Sequence, residues 1–278
     1  MKIAVLLQGE PRFSEEFDWF IWNLSGADSV DYFCYLWKTS TESARVQGNN
    51  GNRLVAERWQ DVDTNWVKKK FKNNLPEHHK LVSLVLDNQY SVNKDLLTEN
   101  IAVETVQPNV WKMWYSLTNV NQNRLSYEKA NNFEYDLVIR TRPDLALMDT
   151  LDLNKLKERF AKQDNLLLIP NNTRCGYGVF ISDMFAVSLG KNITTYCNLY
   201  HEALEHHARG VKFHPETMLA KHLTHHGIIY MPGGFNVECR YLGTWRDIIT
   251  GESWSESARS QIKNWNNKIY ESKFGRWA

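Results

Sequence analysis

Tyr135-Asp136-Leu137-Val138-Ile139-Arg140 runs directly into Thr141-Arg142-Pro143-Asp144. The first stretch has the continuous apolar centre of a strand covered on both faces, and the proline that follows cannot extend it. Two arginines and an aspartate then leave the end of that strand together. A buried strand ending in charge is the pattern of an α/β sheet, in which ligands sit beyond the carboxyl ends of the strands.

The neighbouring segments extend the same alternation. Upstream, Pro108 suits the first turn of a helix. Val110, Met113, Trp114, Leu117, Val120 and Leu125 then follow helical spacing, which predicts a helix to about Asn131. Before it, residues 3–7, 30–37 and 81–86 read as strands. A helix after Ser14 carries Phe17, Phe20, Ile21 and Leu24, and another is expected over 54–75 with Trp59, Val62, Trp66 and Phe71 on one face. Residues 39–53 read as a polar loop. Downstream, Asp152 caps a short helix bearing Leu153, Leu156 and Phe160, and 166–169 is a strand stopped by Pro170. Val179-Phe180-Ile181 reads as a strand before a helical segment to about His207. His214-Pro215-Glu216 opens a helix that Gly227 ends, 228–231 is a late strand, and 255–270 is a helix in a polar, Trp-rich tail. The expectation is one α/β domain, a mostly parallel central sheet flanked by helices over 1–235, with a C-terminal helical extension over 236–278 packed on it.

Composition bounds the partners. Lys+Arg is 33 and Asp+Glu is 32 in 278 residues, a net charge of +1. That provides no field for holding nucleic acid or an anionic membrane. Lys68, Lys69, Lys70 and Lys72 form a local basic cluster that reads as a solvated helix face. No run approaches the ~18 apolar residues of a membrane span, and the start lacks a signal-peptide pattern, so a cytoplasmic protein is expected. Cys34, Cys175, Cys197 and Cys239 form no CxxC pair, so no cysteine zinc site is expected. The 11 Trp, 12 Tyr and 12 Phe are an aromatic excess. Trp37, at a strand end, and Trp245, Trp254, Trp265 and Trp277 in the tail are the candidates for sugar or base contact.

The residues after the strands carry the chemistry. Gln8-Gly9-Glu10-Pro11-Arg12 follows the first strand; Gly9 allows close backbone approach and Arg12 can pair with phosphate. The stretch is neither a Walker loop nor GxGxxG. Arg140 and Arg142 can clamp a diphosphate, and Asp144 can hold a metal that bridges it. The alternative is a structural Arg–Asp pair closing the loop.

Taken in order, residues 3–12, 135–144, Ser182-Asp183-Met184-Phe185-Ala186 and His214-Pro215-Glu216-Thr217-Met218-Leu219 resemble the GT-A-type nucleotide-sugar glycosyltransferases, over roughly residues 1–230. The resemblance implies a nucleotide-sugar donor on the N-terminal half of the sheet, bound by Gln8, Gly9, Arg12, Trp37, Arg140, Arg142 and Asp144, and a glycan or other hydroxyl acceptor. It also implies an Asp-x-Asp motif that binds Mn²⁺ or Mg²⁺. The matching triplet here is Arg142-Pro143-Asp144, which lacks the first Asp. Either Asp144 alone anchors the divalent cation or the arginines replace part of its charge.

Glycosyl transfer needs positive charge on the leaving diphosphate and a base for the acceptor hydroxyl. Asp183 and Glu216 are the catalytic candidates, with Asp183 preferred as the base. Their plainer readings are a helix N-cap and a helix-start residue. Most histidines read as surface or helix-end residues; His222 and His226 stand four apart but lack the glutamate of HExxH, and His214 beside Glu216 is the one to test. Two further readings stand beside the enzyme: a non-catalytic carbohydrate- or protein-binding module that uses aromatic surfaces, and glycosylation of modified DNA bases.

Overall fold

Ile3, Ala4, Val5, Leu6 and Leu7 are all fully buried, so the first strand is covered on both faces. The computed structural model describes residues 1–11, 13, 23–38, 45–47, 53–55, 62–88, 108–171, 175–176 and 179–239. In chain order the elements are β1 (Lys2–Gly9), β2 (Leu24–Ser25), β3 (Ser29–Lys38), β4 (Arg45–Gln47), β5 (Arg53–Val55), α1 (Thr64–Asn74), β6 (His79–Asn88) and α2 (Pro108–Asn131). There follow β7 (Leu137–Thr141), β8 (Leu145–Leu147), β9 (Leu151–Asp152), α3 (Leu153–Lys162), β10 (Leu166–Ile169), β11 (Cys175–Gly176), β12 (Val179–Phe180) and β13 (Ala186–Ser188). The last are α4 (Gly190–Cys197), α5 (Leu199–Ala208), α6 (Pro215–His225), β14 (Ile229–Pro232) and β15 (Val237–Cys239).

Seven strands form one sheet in the order β14-β10-β13-β7-β1-β3-β6. All are parallel except β13, which runs antiparallel to both β7 and β10. The fold is therefore α/β with a mostly parallel, mixed sheet. Ala4, Leu6, Phe33, Val138 and Leu167 face a core closed by α2, α4, α5 and α6. Ile3, Val5, Tyr32, Ile139 and Leu168 face the opposite core, closed by α1 and α3. No described helix is long and apolar enough to cross a membrane.

Local chemistry sets the element ends. α2 starts at Pro108 and stops where Asn132 enters the left-handed region at φ 52°. Asp152 caps α3 by accepting from the Lys155 N–H at 3.2 Å. α6 ends in a Schellman arrangement: the N–H groups of Ile228 and Gly227 reach the Leu223 and Thr224 carbonyls at 2.8 and 3.1 Å. Gly227, at φ 69°, supplies the left-handed residue this turn requires.

Several expectations change. The helix expected over 54–75 starts at Thr64, because the Asp63 carboxylate accepts from the Trp66 N–H at 2.7 Å and caps it there. Leu54 and Val55 instead pair with β4, inside the stretch read as loop. Leu24, expected on a helix, pairs with Leu151 in a two-residue ribbon. The segment read as running apolar into one helix contains β13 and two helices, α4 and α5. β15, assigned to the extension, pairs with β8. The remainder of the helix after Ser14, Trp59, and the tail helix with its tryptophans lie outside the described residues.

Candidate active site

β1 is the centre of the topology. From it the chain goes to β3 and β6 on one side, then crosses to β7 on the other. The carboxyl ends of β1 and β7 therefore flank the switch point, where an open α/β sheet binds ligands. β13 reinforces this edge. Because it is antiparallel, with Ala186 opposite Arg140, the residues before it lie beyond the carboxyl end of β7. That places Asp183 at the same edge. The Ser182 hydroxyl shapes the turn by accepting from the N–H groups of Met184 and Phe185 at 3.2 and 3.4 Å.

Arg140 is 0% exposed. Its guanidinium lies 5.7 Å from the centre of the Tyr196 ring on α4. All three guanidinium nitrogens are buried without a hydrogen-bond partner among the described residues. The contrast with Arg124, buried on the same face, is instructive. Arg124 donates to Asn121 Oδ1 at 2.9 and 3.0 Å, to Glu128 Oε2 at 2.7 Å and to Thr194 Oγ1 at 2.8 Å. Glu128 in turn accepts from the Tyr135 N–H at 3.0 Å. One buried arginine is satisfied and the other is not. A ring face at 5.7 Å offsets only a part of the desolvation of an unpaired guanidinium.

Glu216 lies in the first turn of α6, where the helix dipole favours a charged carboxylate. Burial and the negative charge of Asp183 outweigh that, and its pKa is pushed up to about 7. The same Asp183 and Glu216 charges reach Tyr196, as does Arg140; burial dominates there and holds the phenol well above its ordinary range. His214 Nδ1 stands 3.2 Å from Glu216 Oε2. That oxygen nevertheless has no hydrogen-bond partner among the described residues, while Nδ1 lies 3.4 Å from Thr217 Oγ1. Burial lowers the His214 pKa, which disfavours its charged form. The site thus unites Arg140, Tyr196, Asp183, Glu216 and His214.

The other predicted residues sit as follows. Gln8 is buried under α2, its amide oxygen accepting from the Ser116 hydroxyl at 2.8 Å. Gly9 has φ 109°, and no described atom lies within 4 Å of where a Cβ would stand. Trp37 is buried, stacked on Tyr115 at 6.1 Å between ring centres. Arg142 forks onto Asp144, Nε to Oδ1 at 2.9 Å and a terminal nitrogen to Oδ2 at 2.5 Å. Both oxygens of Asp144 are therefore engaged by a cation, the donor set of a loop-closing ion pair. The residues do not fit a divalent cation at Asp144. Arg12 lies outside the described residues.

Sequence reasoning missed Tyr196 and the Arg124 network. It also missed that Glu202, His206 and His222 converge between helices. Comparison of the sequence with protein-family models and with curated proteins gives no match.

Proposed function

We propose that the chain is a glycosyltransferase of the GT-A type, moving a sugar from a nucleotide-sugar donor to a hydroxyl acceptor. The observation that carries this reading is the fully buried guanidinium of Arg140 at the switch point of the sheet, which has no hydrogen-bond partner among the described residues. Native interiors pair their buried polar groups, so an orphaned cation with up to five N–H donors calls for an anion that completes it. A leaving diphosphate supplies one.

In this reading the acceptor oxygen attacks the anomeric carbon as the bond to the diphosphate oxygen breaks. The electron pair leaves on the diphosphate, held by Arg140, and the acceptor proton passes to Glu216. A carboxyl with a pKa of about 7 is suited to that task at neutral pH, and Asp183 keeps it there. Of the two carboxylates, Glu216 is the proton acceptor and Asp183 tunes it. Because Arg140 is sealed from solvent, donor entry requires a local opening, so association is expected below about 10⁵ M⁻¹s⁻¹.

Of the aromatic candidates behind the binding-module reading, Trp37 is buried, and the tail tryptophans lie outside the described residues. The basic cluster behind the DNA reading lies on α1, which packs on the opposite core from Arg140. Nucleotide release from a panel of nucleotide sugars, with and without Mn²⁺, tests the proposal. Turnover of at least one donor is expected, and turnover of none would contradict it.

A further inference from the structure

On the outer side of the same helical layer, four side chains meet between α5 and α6. Glu202 and His206 stand four residues apart on α5 and so share a face. His222 projects from α6, and His226 is the C-cap of that helix. His206 Nε2 is 3.2 Å from His222 Nδ1. Glu202 Oε2 is 3.4 Å from His222 Nδ1 and 3.7 Å from His206 Nε2. These three donor atoms all lie within 4.8 Å of one another.

The environment fixes how the rings present themselves. His222 is fully buried, and its Nε2 is 2.7 Å from the Thr195 carbonyl oxygen on α4. A carbonyl can only accept, so Nε2 carries the hydrogen and Nδ1 turns its lone pair toward His206 and Glu202. A ring N–H held by a backbone carbonyl is the outer support that metal-ligating histidines use. On the solvent side, His226 Nε2 holds both Glu202 oxygens, at 2.9 and 3.1 Å, and orients the carboxylate.

We propose that Glu202, His206 and His222 form a zinc site that clasps α5 to α6. Bonds of about 2.0–2.1 Å in a tetrahedral shell separate donor atoms by about 3.3–3.4 Å, and the three observed separations bracket that value. Two imidazoles and one carboxylate suit Zn²⁺ and its borderline neighbours, whereas Mg²⁺ and Ca²⁺ demand oxygen shells. Three protein ligands leave a position for water, reached past Glu202, the only one of the three that is not buried. His222 lies six residues, about 9 Å, along α6 from Glu216, so the ion would anchor the helix that carries the proposed base. The site itself does not depend on the glycosyl-transfer reading.

The plain alternative is a metal-free hydrogen-bonded chain from His206 through His222 to Thr195. Calorimetric titration of chelator-treated full-length protein with Zn²⁺ separates the two. The zinc site predicts one saturable equivalent, a rise in Tm on binding, no response to Mg²⁺, and intense visible absorption when Co²⁺ is bound instead. Glu202→Gln and His206→Asn are each expected to weaken Zn²⁺ binding by at least about tenfold, while His201→Asn, on the exposed side of α5, leaves it unchanged. Glu202→Gln preserves shape and carries the test if a histidine variant fails to fold. Absence of saturable binding, or equal affinity in Glu202→Gln and wild type, would overturn the proposal.

Discussion

Arg140 and Arg124 are buried on the same face of the sheet and meet opposite fates: Arg124 donates to Asn121, Glu128 and Thr194, and Arg140 donates to none of the described residues. Their charges both reach the Cys197 thiol, whose pKa burial nonetheless pushes up to about 12. The pair supplies an internal control for the proposed site.

Replacing each arginine with methionine should therefore give opposite results. Arg124→Met strands the Glu128 carboxylate and should destabilise by about 3–5 kcal/mol. Arg140→Met removes an unpaired charge and should leave stability unchanged or raise it by about 1–4 kcal/mol. Urea denaturation measures both. A loss of several kcal/mol in Arg140→Met would mean that the guanidinium has a structural role.

The raised pKa of Glu216 gives a pH dependence of defined sign. Below an unfolded pKa near 4.5 both states hold the proton; as pH rises toward the folded value of about 7, the folded state must keep or lose a proton the unfolded state has already released. Stability from this group is thus full below pH ~4.5 and is lost as pH rises through about 7. Glu216→Gln should remove the loss, gaining about 1–2 kcal/mol over wild type between pH 5 and 8 after allowance for solvent screening of a partly exposed side chain. Because the proton acceptor must be ionised, the same substitution should lower activity by about 10²–10⁴-fold and remove the rise in activity as pH passes through about 7. Equal pH profiles for variant and wild type would remove Glu216 from the role of base.

Gly9 is held at φ 109°, a region L-residues rarely occupy. Gly9→Ala should destabilise by about 1–3 kcal/mol through backbone strain alone, since no described atom crowds the new methyl. Thermal unfolding is the readout, and an unchanged Tm would contradict the assigned strain.

Asp144→Ala separates the two readings of that residue. As the partner of Arg142, the buried carboxylate should support stability, and its loss should lower it by about 1–3 kcal/mol. Mn²⁺ dependence of nucleotide binding should be the same in variant and wild type. Loss of a Mn²⁺ response in the variant alone would restore Asp144 as a cation ligand.

What the sequence revealed follows from the range of the forces involved. α2 was legible from Pro108 to Asn131 because a proline start and a long apolar stripe are local signals. Asp152 was legible as a cap for the same reason. The late start of α1 was not, because helical spacing continues upstream of Asp63 while the cap alone decides the boundary. The direction of β13 was hidden: three residues, Ala186-Val187-Ser188, carry no sign of antiparallel pairing, yet that pairing delivers Asp183 to the site. Strand alternation put Arg140 and Arg142 forward together, but only packing shows that Arg142 is bound to Asp144 while Arg140 has no hydrogen-bond partner among the described residues. The Glu202–His206–His222 cluster needs two helices to meet, which spacing within either one cannot reveal.

The central claim is that Arg140 waits for a diphosphate. Isothermal titration of wild type and Arg140→Met with nucleoside diphosphates tests it most directly. The account predicts saturable binding of at least one nucleotide by wild type and its loss in a stably folded Arg140→Met; equal binding by both, or binding by neither, would contradict it.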